Sequence, residues 1–288
     1  MLRLARKGWL LAKAITKYCP IDGLVVDEVG PWARAKHLRL SRYVGIAKGA
    51  RAKFTPPRGT GGASYIELFS GPGRSLIEGT SEYIDGSPLV AYRAARASGV
   101  RFSEIHLNDI DPDKASALDS RIRTAGGAAI VHNGPAGTVI DSVTDAINPA
   151  GLHFAFLDPY NLEYLSFDII EKLSRFRHMD MLVHVSVQDL QRNLDRYSVQ
   201  GGVFDRFAPG WRKKVDPHQA IAPFRAALLE YWLGEIRKLG TMPAEGMQLI
   251  VGSKNQRLYW LMFVAAHDLA QKLWDAVRDP GGQQTMDF

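Results

Sequence analysis

The sequence predicts an α/β fold in which a mostly parallel sheet is covered by helices on both faces. From Ser64 onward, short apolar segments alternate with amphipathic ones, the pattern of repeated strand–helix units. A turn containing two glycines follows the first apolar segment directly. The alternation ends in two strand-like segments joined by a polar turn, which predicts a terminal antiparallel hairpin.

Residues 1–60 are predicted to be a basic helical extension, with helices over about residues 2–17 and 31–53. The extension carries 13 Lys/Arg against 3 Asp/Glu, whereas the remaining residues carry 23 against 27. In the second helix, apolar residues recur every three to five positions with basic residues between them. This asymmetry fits a polyanionic partner, with nucleic acid the leading candidate, and it also fits a merely solvated helical face.

A Pro/Gly-rich run over residues 55–62 separates the extension from a Rossmann-like domain predicted over residues 61–288. The predicted strands are Tyr65–Phe69, Glu104–Asp109, Ala128–His132, His153–Leu157, Met181–Ser186, and the hairpin strands Met247–Val251 and Leu258–Ala265. The predicted helices cover about residues 87–97, 111–124, 137–147, 167–176, 218–239 and 267–277. Residues 188–217 are too long for an ordinary connection, which predicts a functional or partly mobile insertion.

The composition excludes several classes of protein. Cys19 is the single cysteine, so no internal disulfide forms, and a reducing, cytoplasmic location is expected. No segment approaches the roughly 20 apolar residues of a membrane span, and the N-terminus lacks the features of a signal peptide. The eight histidines show no metal-ligand spacing, so no metal site is expected.

The turn after the first strand is the sharpest candidate for ligand binding. Glu67 lies within that strand, and the two glycines of the turn let a ligand approach the backbone closely. A purely structural tight turn is the alternative interpretation. The candidate cofactor-binding residues here are Glu67, Phe69, Ser70, Gly71, Pro72 and Gly73.

Residues at the ends of the second and third strands are candidates for binding a nucleoside. Asp109 closes the second strand and Ile110 follows it, and a carboxylate at this position can accept both ribose hydroxyls. Asp109 could instead cap the next helix, although Asp111 is better placed for that role. After the third strand, Asn133 and Gly134 occupy the adenine side, where the Asn133 carbonyl or backbone groups would replace the usual carboxylate.

Asp158, Pro159 and Tyr160 follow the apolar fourth strand and are the candidate catalytic residues of a site for group transfer. Open α/β sheets bind ligands at the carboxyl ends of strands near the point where the strand order reverses. The Asp158 carboxylate can accept hydrogen bonds from an exocyclic amine, and the Tyr160 ring can stack on a planar base. The alternative is that Asp158 caps a turn and Tyr160 packs against the protein.

The insertion at residues 188–217 offers a second candidate surface for nucleic acid, or equally a surface for docking a protein. Cations and an aromatic ring suited to a phosphate backbone or to bases occur together there. These residues are Arg192, Arg196, Arg206, Trp211, Arg212, Lys213 and Lys214.

With these motifs, the chain resembles the three-Cys-motif partner family (TcmP) of methyltransferase-like proteins. The matching blocks are Gly30-Pro31-Trp32, Lys36-His37, residues 65–73, Gly86-Ser87-Pro88-Leu89, Phe156-Leu157-Asp158-Pro159 and Gly282-Gln283-Gln284, in this order. The resemblance implies a class I methyltransferase Rossmann-like sheet with S-adenosyl-L-methionine as cofactor. It also implies association with a three-Cys-motif protein that resembles radical S-adenosylmethionine enzymes.

The resemblance further implies that Glu67, Gly71, Gly73 and Asp109 bind the cofactor and that Asp158 and Pro159 border the transfer site. Two positions depart from the family pattern. Tyr160-Asn161 replaces the usual aromatic-glycine pair, which leaves the substrate class open, and Pro135 stands where an acidic residue is expected.

Two hypotheses about function follow. The first is an enzyme that methylates a nitrogen of a nucleic acid base, RNA or DNA. The second is a catalytically silent methyltransferase-fold subunit that binds a partner protein or nucleic acid. An NAD-dependent oxidoreductase is disfavoured, because such domains usually end in a sixth parallel strand rather than in a hairpin.

Overall fold

The computed structural model describes residues 16–244, 247–251, 257–278 and 285–286. The strands are β1 (Lys17–Tyr18), β2 (Val25–Val29), β3 (Ala63–Glu67), β4 (Arg74–Ile77), β5 (Tyr83–Asp85), β6 (Glu104–Asp109), β7 (Ile130–Asn133), β8 (Leu152–Leu157), β9 (Met179–Ser186), β10 (Met242–Pro243), β11 (Met247–Val251), β12 (Arg257–Ala265) and β13 (Thr285–Met286). The helices are α1 (Ala33–Ile46), α2 (Lys48–Phe54), α3 (Ser87–Ala97), α4 (Pro112–Thr124), α5 (Ala136–Ala146), α6 (Phe167–Ser174), α7 (Val187–Arg192), α8 (Leu194–Tyr197), α9 (Val203–Phe207), α10 (Ile221–Lys238) and α11 (Asp268–Arg278).

The main sheet has the strand order β7-β6-β3-β8-β9-β12-β11, with β13 beside β11 and β10 beside β12. Strands β7, β6, β3, β8 and β9 run parallel, and β12 runs antiparallel to both β9 and β11. The predicted fold class is therefore confirmed: five parallel strands followed by an antiparallel hairpin. The order reverses between β3 and β8, so their carboxyl ends border the crevice where such sheets bind ligands.

The sheet separates two hydrophobic layers because successive side chains point to opposite faces. Ile66 belongs to the layer that contains α6, α10 and residues 187–215, whereas its neighbour Tyr65 belongs to the layer that contains α1, α3 and α11. Within the second layer, the Tyr43 ring of α1 contacts Phe154 and Phe263, with ring centroids 4.9 and 4.8 Å apart. The basic helix α1 is therefore packed on the sheet through its apolar face.

The N-terminal part differs from the predicted pair of helices. Residues 1–15, where the first helix is predicted, lie outside the described residues, and Lys17 belongs to β1 rather than to a helix. The second predicted helix is present as α1 and α2. No helix in the described parts of the chain combines the length and apolarity that a bilayer span requires.

A small second sheet, β1-β2-β4-β5, connects this N-terminal part to the glycine turn. Its strands β4 and β5 lie between the turn and α3, where the sequence predicts no strands. The segment that contains β4 and β5 returns to the turn at Gly86, whose N–H donates a hydrogen bond of 2.8 Å to the Gly73 carbonyl oxygen. As a result, α3 begins beside the turn although thirteen residues intervene.

Residues 188–217, predicted to be a functional or partly mobile insertion, contain several short helices. They form the end of α7, then α8, α9 and a short 3-10 helix over Trp211–Lys213. The side chains of Tyr197, Phe204, Phe207 and Trp211 are fully buried in the layer beneath α10. Because the Trp211 ring is packed inside the protein, it is not available to stack on a nucleic acid base.

We expect Trp211→Ala to lower the free energy of unfolding by about 3–5 kcal/mol, since it removes a fully buried aromatic side chain. Lys213→Ala, in the same 3-10 helix but exposed, should change stability by no more than about 0.5 kcal/mol. Denaturant unfolding of both variants tests this. Equal, small effects would contradict the packed arrangement of residues 188–217.

Candidate functional site

The glycine turn and Asp109 lie side by side at the carboxyl edge of the sheet, as predicted. Gly71 and Gly73 have φ angles of 59° and 79°, a backbone conformation that residues other than glycine rarely adopt. The Gly71 N–H donates a hydrogen bond of 2.9 Å to Oδ2 of Asp109, and the Asp111 N–H donates one of 2.9 Å to Oδ1. Asp111 is the cap of α4, so Asp109 is not needed for capping.

Glu67 supports the turn from inside the protein. Its carboxyl group is fully buried and accepts hydrogen bonds from the hydroxyls of Tyr65, at 2.6 Å, and Ser87. Burial raises the pKa of Glu67 to about 8, against the lowering effect of these two hydroxyls. Ser87 is the first residue of α3, so Glu67 joins the end of β3 to the start of that helix.

Hydrogen bonds from Asn108 and Asn133 hold the segments that follow β3, β6 and β7 together. The Asn133 Nδ2 donates to the carbonyl oxygens of Asp109 and Ile110, at 2.8 and 3.2 Å. The buried Asn108 Nδ2 donates to the carbonyl oxygens of Leu68 and Gly134, at 2.9 and 3.1 Å. Asn108 was not predicted as a site residue, although its position beside Asp109 at a strand end was a usable signal.

The remaining residues of the predicted turn are partly or fully enclosed. Ser70 is buried, and its hydroxyl donates a hydrogen bond of 2.8 Å to the Glu67 carbonyl oxygen. Pro72 is also buried, and Phe69 packs against the layer that contains α10. These residues shape the turn, and Gly71 is the member that contacts Asp109.

Residues 17–29 fasten the glycine turn through the buried side chain of Arg121 in α4. The Arg121 guanidinium donates hydrogen bonds to the carbonyl oxygens of Pro72 and Val25, at 2.6 and 2.7 Å. It also forms an ion pair of 2.9 Å with Asp22, and this hydrogen-bonded cation lowers the pKa of Asp22 to about 2. Nothing in the local sequence around Arg121 indicated this role.

At the candidate transfer site, Asp158 forms an ion pair with Lys36, a residue of α1. Both side chains are largely buried, with 16% and 13% of their surface exposed. Burial alone would raise the pKa of Asp158, but the positive charge of Lys36 and the nearby His184 lower it below its usual value. The Asp158 carboxylate is therefore ionised and already paired with a cation.

Two uncharged imidazoles and a phenol complete this cluster. His184 Nδ1 lies 3.5 Å from Asp158 Oδ1, and burial lowers the pKa values of both His184 and His37 to about 4. The Tyr259 ring packs on His184 with centroids 4.3 Å apart, and its buried hydroxyl has no hydrogen-bond partner among the described residues. Because β9, β12 and α1 supply these side chains, spacing along the chain could not reveal them.

Pro159 is buried, whereas Tyr160 is 92% exposed. The alternative in which the Tyr160 ring packs against the protein is therefore wrong. An ion pair, uncharged imidazoles and an exposed ring together form a site with little net charge. Such a site can orient a neutral, planar molecule that carries a hydrogen-bond donor.

Glu67→Gln should change how stability depends on pH. The folded chain holds the Glu67 proton more tightly than the usual pKa of 4.5 allows, so the free energy of unfolding falls as pH rises from about 4.5 to about 8. Removing this titration should flatten the decline by up to about 1.4 kcal/mol per pH unit. Denaturant unfolding of both proteins between pH 4.5 and 8.5 measures the difference, and parallel curves would contradict the buried position of Glu67.

Lys36→Met should lower the free energy of unfolding at pH 7 by about 3 kcal/mol, because it leaves the buried Asp158 carboxylate unpaired. The double variant Lys36→Met, Asp158→Asn should cost less than the two single variants added together. Arg34→Met is the matched control in α1, since its ion pair with Glu82 is exposed and is worth less than about 1 kcal/mol. Additive effects of the two substitutions would contradict the ion pair.

No family model and no curated protein sequence matches the chain. Among solved structures, protein LPL1258 of Legionella pneumophila str. Philadelphia 1, of family model DUF519, has a TM-score of 0.51 at 12% identity, over 87% of this chain and 95% of that chain. The O-methyltransferase from Bacillus cereus in complex with SAH has a TM-score of 0.44 at 14% identity, over 81% of this chain and 86% of that chain. Cofactor-bound Rv0187 from MTB has a TM-score of 0.43 at 15% identity, over 81% of this chain and 89% of that chain. The likeness to LPL1258 agrees with the strand order in showing a Rossmann-like α/β fold, in which a mostly parallel sheet ends in an antiparallel hairpin.

Proposed function

We propose that the protein is an S-adenosylmethionine-dependent methyltransferase that acts on a nitrogen of a nucleic acid base. The observation that carries this proposal is the hydrogen bond between Gly71 and Asp109 at the same sheet edge as Asp158. It brings a glycine turn, a carboxylate for ribose and a carboxylate for the acceptor to adjacent strand ends. Each of these features has its expected place in a methyltransferase-type sheet.

The residues around Asp109 fit the adenosyl part of the cofactor. A carboxylate offers about four acceptor positions, and backbone N–H groups occupy two of those on Asp109, which leaves room for two ribose hydroxyls. The Ile110 side chain is 59% exposed beside it and offers an apolar surface to a planar ring. Since the Asn133 Nδ2 is used by the backbone, its Oδ1 remains to accept from an adenine amino group. When bound, the cofactor supplies an electrophilic methyl group.

The acceptor side is suited to an exocyclic amine. Asp158 can accept a hydrogen bond from the amine while Lys36 keeps the carboxylate ionised, and Tyr160 offers an exposed ring for stacking. Holding the amine in this way aims its lone pair, which accelerates the transfer by orientation. A nucleic acid base must be unstacked to enter, and an aromatic platform favours that state.

A second candidate function is a catalytically silent subunit of the three-Cys-motif partner type, which binds a three-Cys-motif protein or nucleic acid. The Lys36–Asp158 ion pair favours it, because the carboxylate already has a cationic partner and an incoming amine must share it. The two functions differ in one measurable property. The enzyme transfers a labelled methyl group to nucleic acid on its own, whereas the silent subunit binds without transfer.

Calorimetry with S-adenosylmethionine, S-adenosylhomocysteine and NAD tests cofactor choice, and the first two should bind while NAD should not. Asp109→Ala should weaken binding about 10- to 100-fold, since hydrogen bonds to a charged group are worth about 1.5–3 kcal/mol. Asp113→Ala, also acidic and near the start of α4 but exposed, is the control.

Transfer of labelled methyl groups to total RNA and to DNA then tests catalysis. Asp158→Asn should reduce transfer at least about 100-fold while it leaves cofactor affinity within about twofold. The absence of heat with both sulfur compounds would overturn the enzymatic function. Full activity of Asp158→Asn would overturn the assignment of the transfer site.

A further inference from the structure

We propose that a basic groove at the opposite edge of the sheet binds the phosphate backbone of the nucleic acid. This proposal deepens the proposed function by placing the substrate on a second face of the domain. One wall of the groove is formed by α2 and residues 55–58, and the other by residues 98–103, which join α3 to β6. The groove encloses about 570 Å³, within the range of pockets that hold ligands.

The groove is lined by cations without carboxylates. Lys48 and Arg58 lie on one wall and Arg101 on the other, and no Asp or Glu is among the lining residues. All three side chains are exposed, and none forms an ion pair with any residue that the structure describes. Glu104 follows the second wall directly, but its Oε1 accepts a hydrogen bond from Ser64. The groove therefore has a positive potential that nothing in its lining neutralises.

A buried arginine holds the two walls at a constant separation. Arg51 of α2 is only 2% exposed, and its guanidinium donates hydrogen bonds to the Val100 carbonyl oxygen, at 3.0 and 3.1 Å, and to the Ser98 hydroxyl, at 3.0 Å. The same group also donates to the Val44 carbonyl oxygen of α1. Because Arg51 joins both walls from behind, the exposed cations need little reorganisation to receive a ligand.

The arrangement of charge fits a chain of phosphates better than a single anion. Lys48, Arg58 and Arg101 come from three segments of the groove: the start of α2, the residues that follow α2, and the connection between α3 and β6. Each strand of a nucleic acid duplex carries one phosphate for about every 3.4 Å along the helix axis. Cations on separate segments can therefore each contact a different phosphate. Exposed Lys53 continues the positive surface on α2.

The distance to the candidate transfer site limits the substrate. The groove lies at the amino ends of β3 and β6, whereas Asp109 and Asp158 follow the carboxyl ends of β6 and β8. Strands of five or six residues separate these edges by roughly 15–20 Å, at about 3.3 Å per residue. A mononucleotide cannot reach both places. The groove therefore implies a nucleic acid of several nucleotides that lies along the side of the domain.

The test is the salt dependence of binding by the full chain, measured by fluorescence anisotropy with a 30-nucleotide RNA hairpin and a 30-base-pair DNA. The triple variant Lys48→Gln, Arg58→Gln, Arg101→Gln should bind at least about 10-fold more weakly at 100 mM salt. Its slope of log K against log salt should be smaller by about 2 to 3 for the DNA, since each lost phosphate contact removes about 0.9.

The matched control is the triple variant Arg237→Gln, Lys238→Gln, Lys272→Gln. These cations are also exposed, but they lie on α10 and α11 and are not among the residues that line the groove. The control should bind both probes as the unaltered protein does. Denaturant unfolding verifies that each variant is folded, whether or not the protein binds S-adenosylmethionine.

Three outcomes would overturn the proposal: no binding of either probe by the unaltered protein, an unchanged salt slope in the groove variant, or an equal loss in the control variant. Binding through the groove without methyl transfer would support the groove and reject the proposed enzymatic function. The two proposals can therefore fail independently.

Discussion

The arrangement of the site depends on two carboxyl groups that are buried where strands β3 and β8 end. A carboxyl group removed from water is costly unless hydrogen bonds or a cation compensate for the lost solvation. Hydrogen bonds from the hydroxyls of Tyr65 and Ser87 compensate for the burial of Glu67. The ammonium group of Lys36 compensates for the burial of Asp158. Because Ser87 belongs to α3 and Lys36 to α1, the two helices are tied to the sheet edge where the glycine turn lies.

These ties give the two edges of the sheet different chemistry. At the carboxyl edge, the ion pair of Asp158 and the uncharged His37 and His184 leave little net charge around an exposed Tyr160 ring. At the amino edge, the buried Arg51 joins the two walls of the groove by hydrogen bonds. The cations that line the groove face solvent. These different surfaces are the reason why we propose a neutral base as the ligand at one edge and a phosphate chain as the ligand at the other.

The elements that the sequence predicted well are those whose pattern is local. The five parallel strands and the hairpin are apolar segments bounded by turn residues, and their burial follows from that composition. Strands β2, β4 and β5 were missed because they are short and mix charged with apolar residues. Residues 188–217 were misjudged because their aromatic residues are spread over several short helices, so no long periodic segment exists.

The sequence by itself determined the fold class, the glycine turn and the acidic residues Asp109 and Asp158, since each depends on residues that are neighbours in the chain. Only the tertiary structure decided that Lys36 pairs with Asp158, 122 residues away, and that Arg121 holds the turn against Val25. The physical reason is that a long side chain can serve many partners. Which partner it meets is decided when helices pack on the sheet and water is excluded from the buried charges.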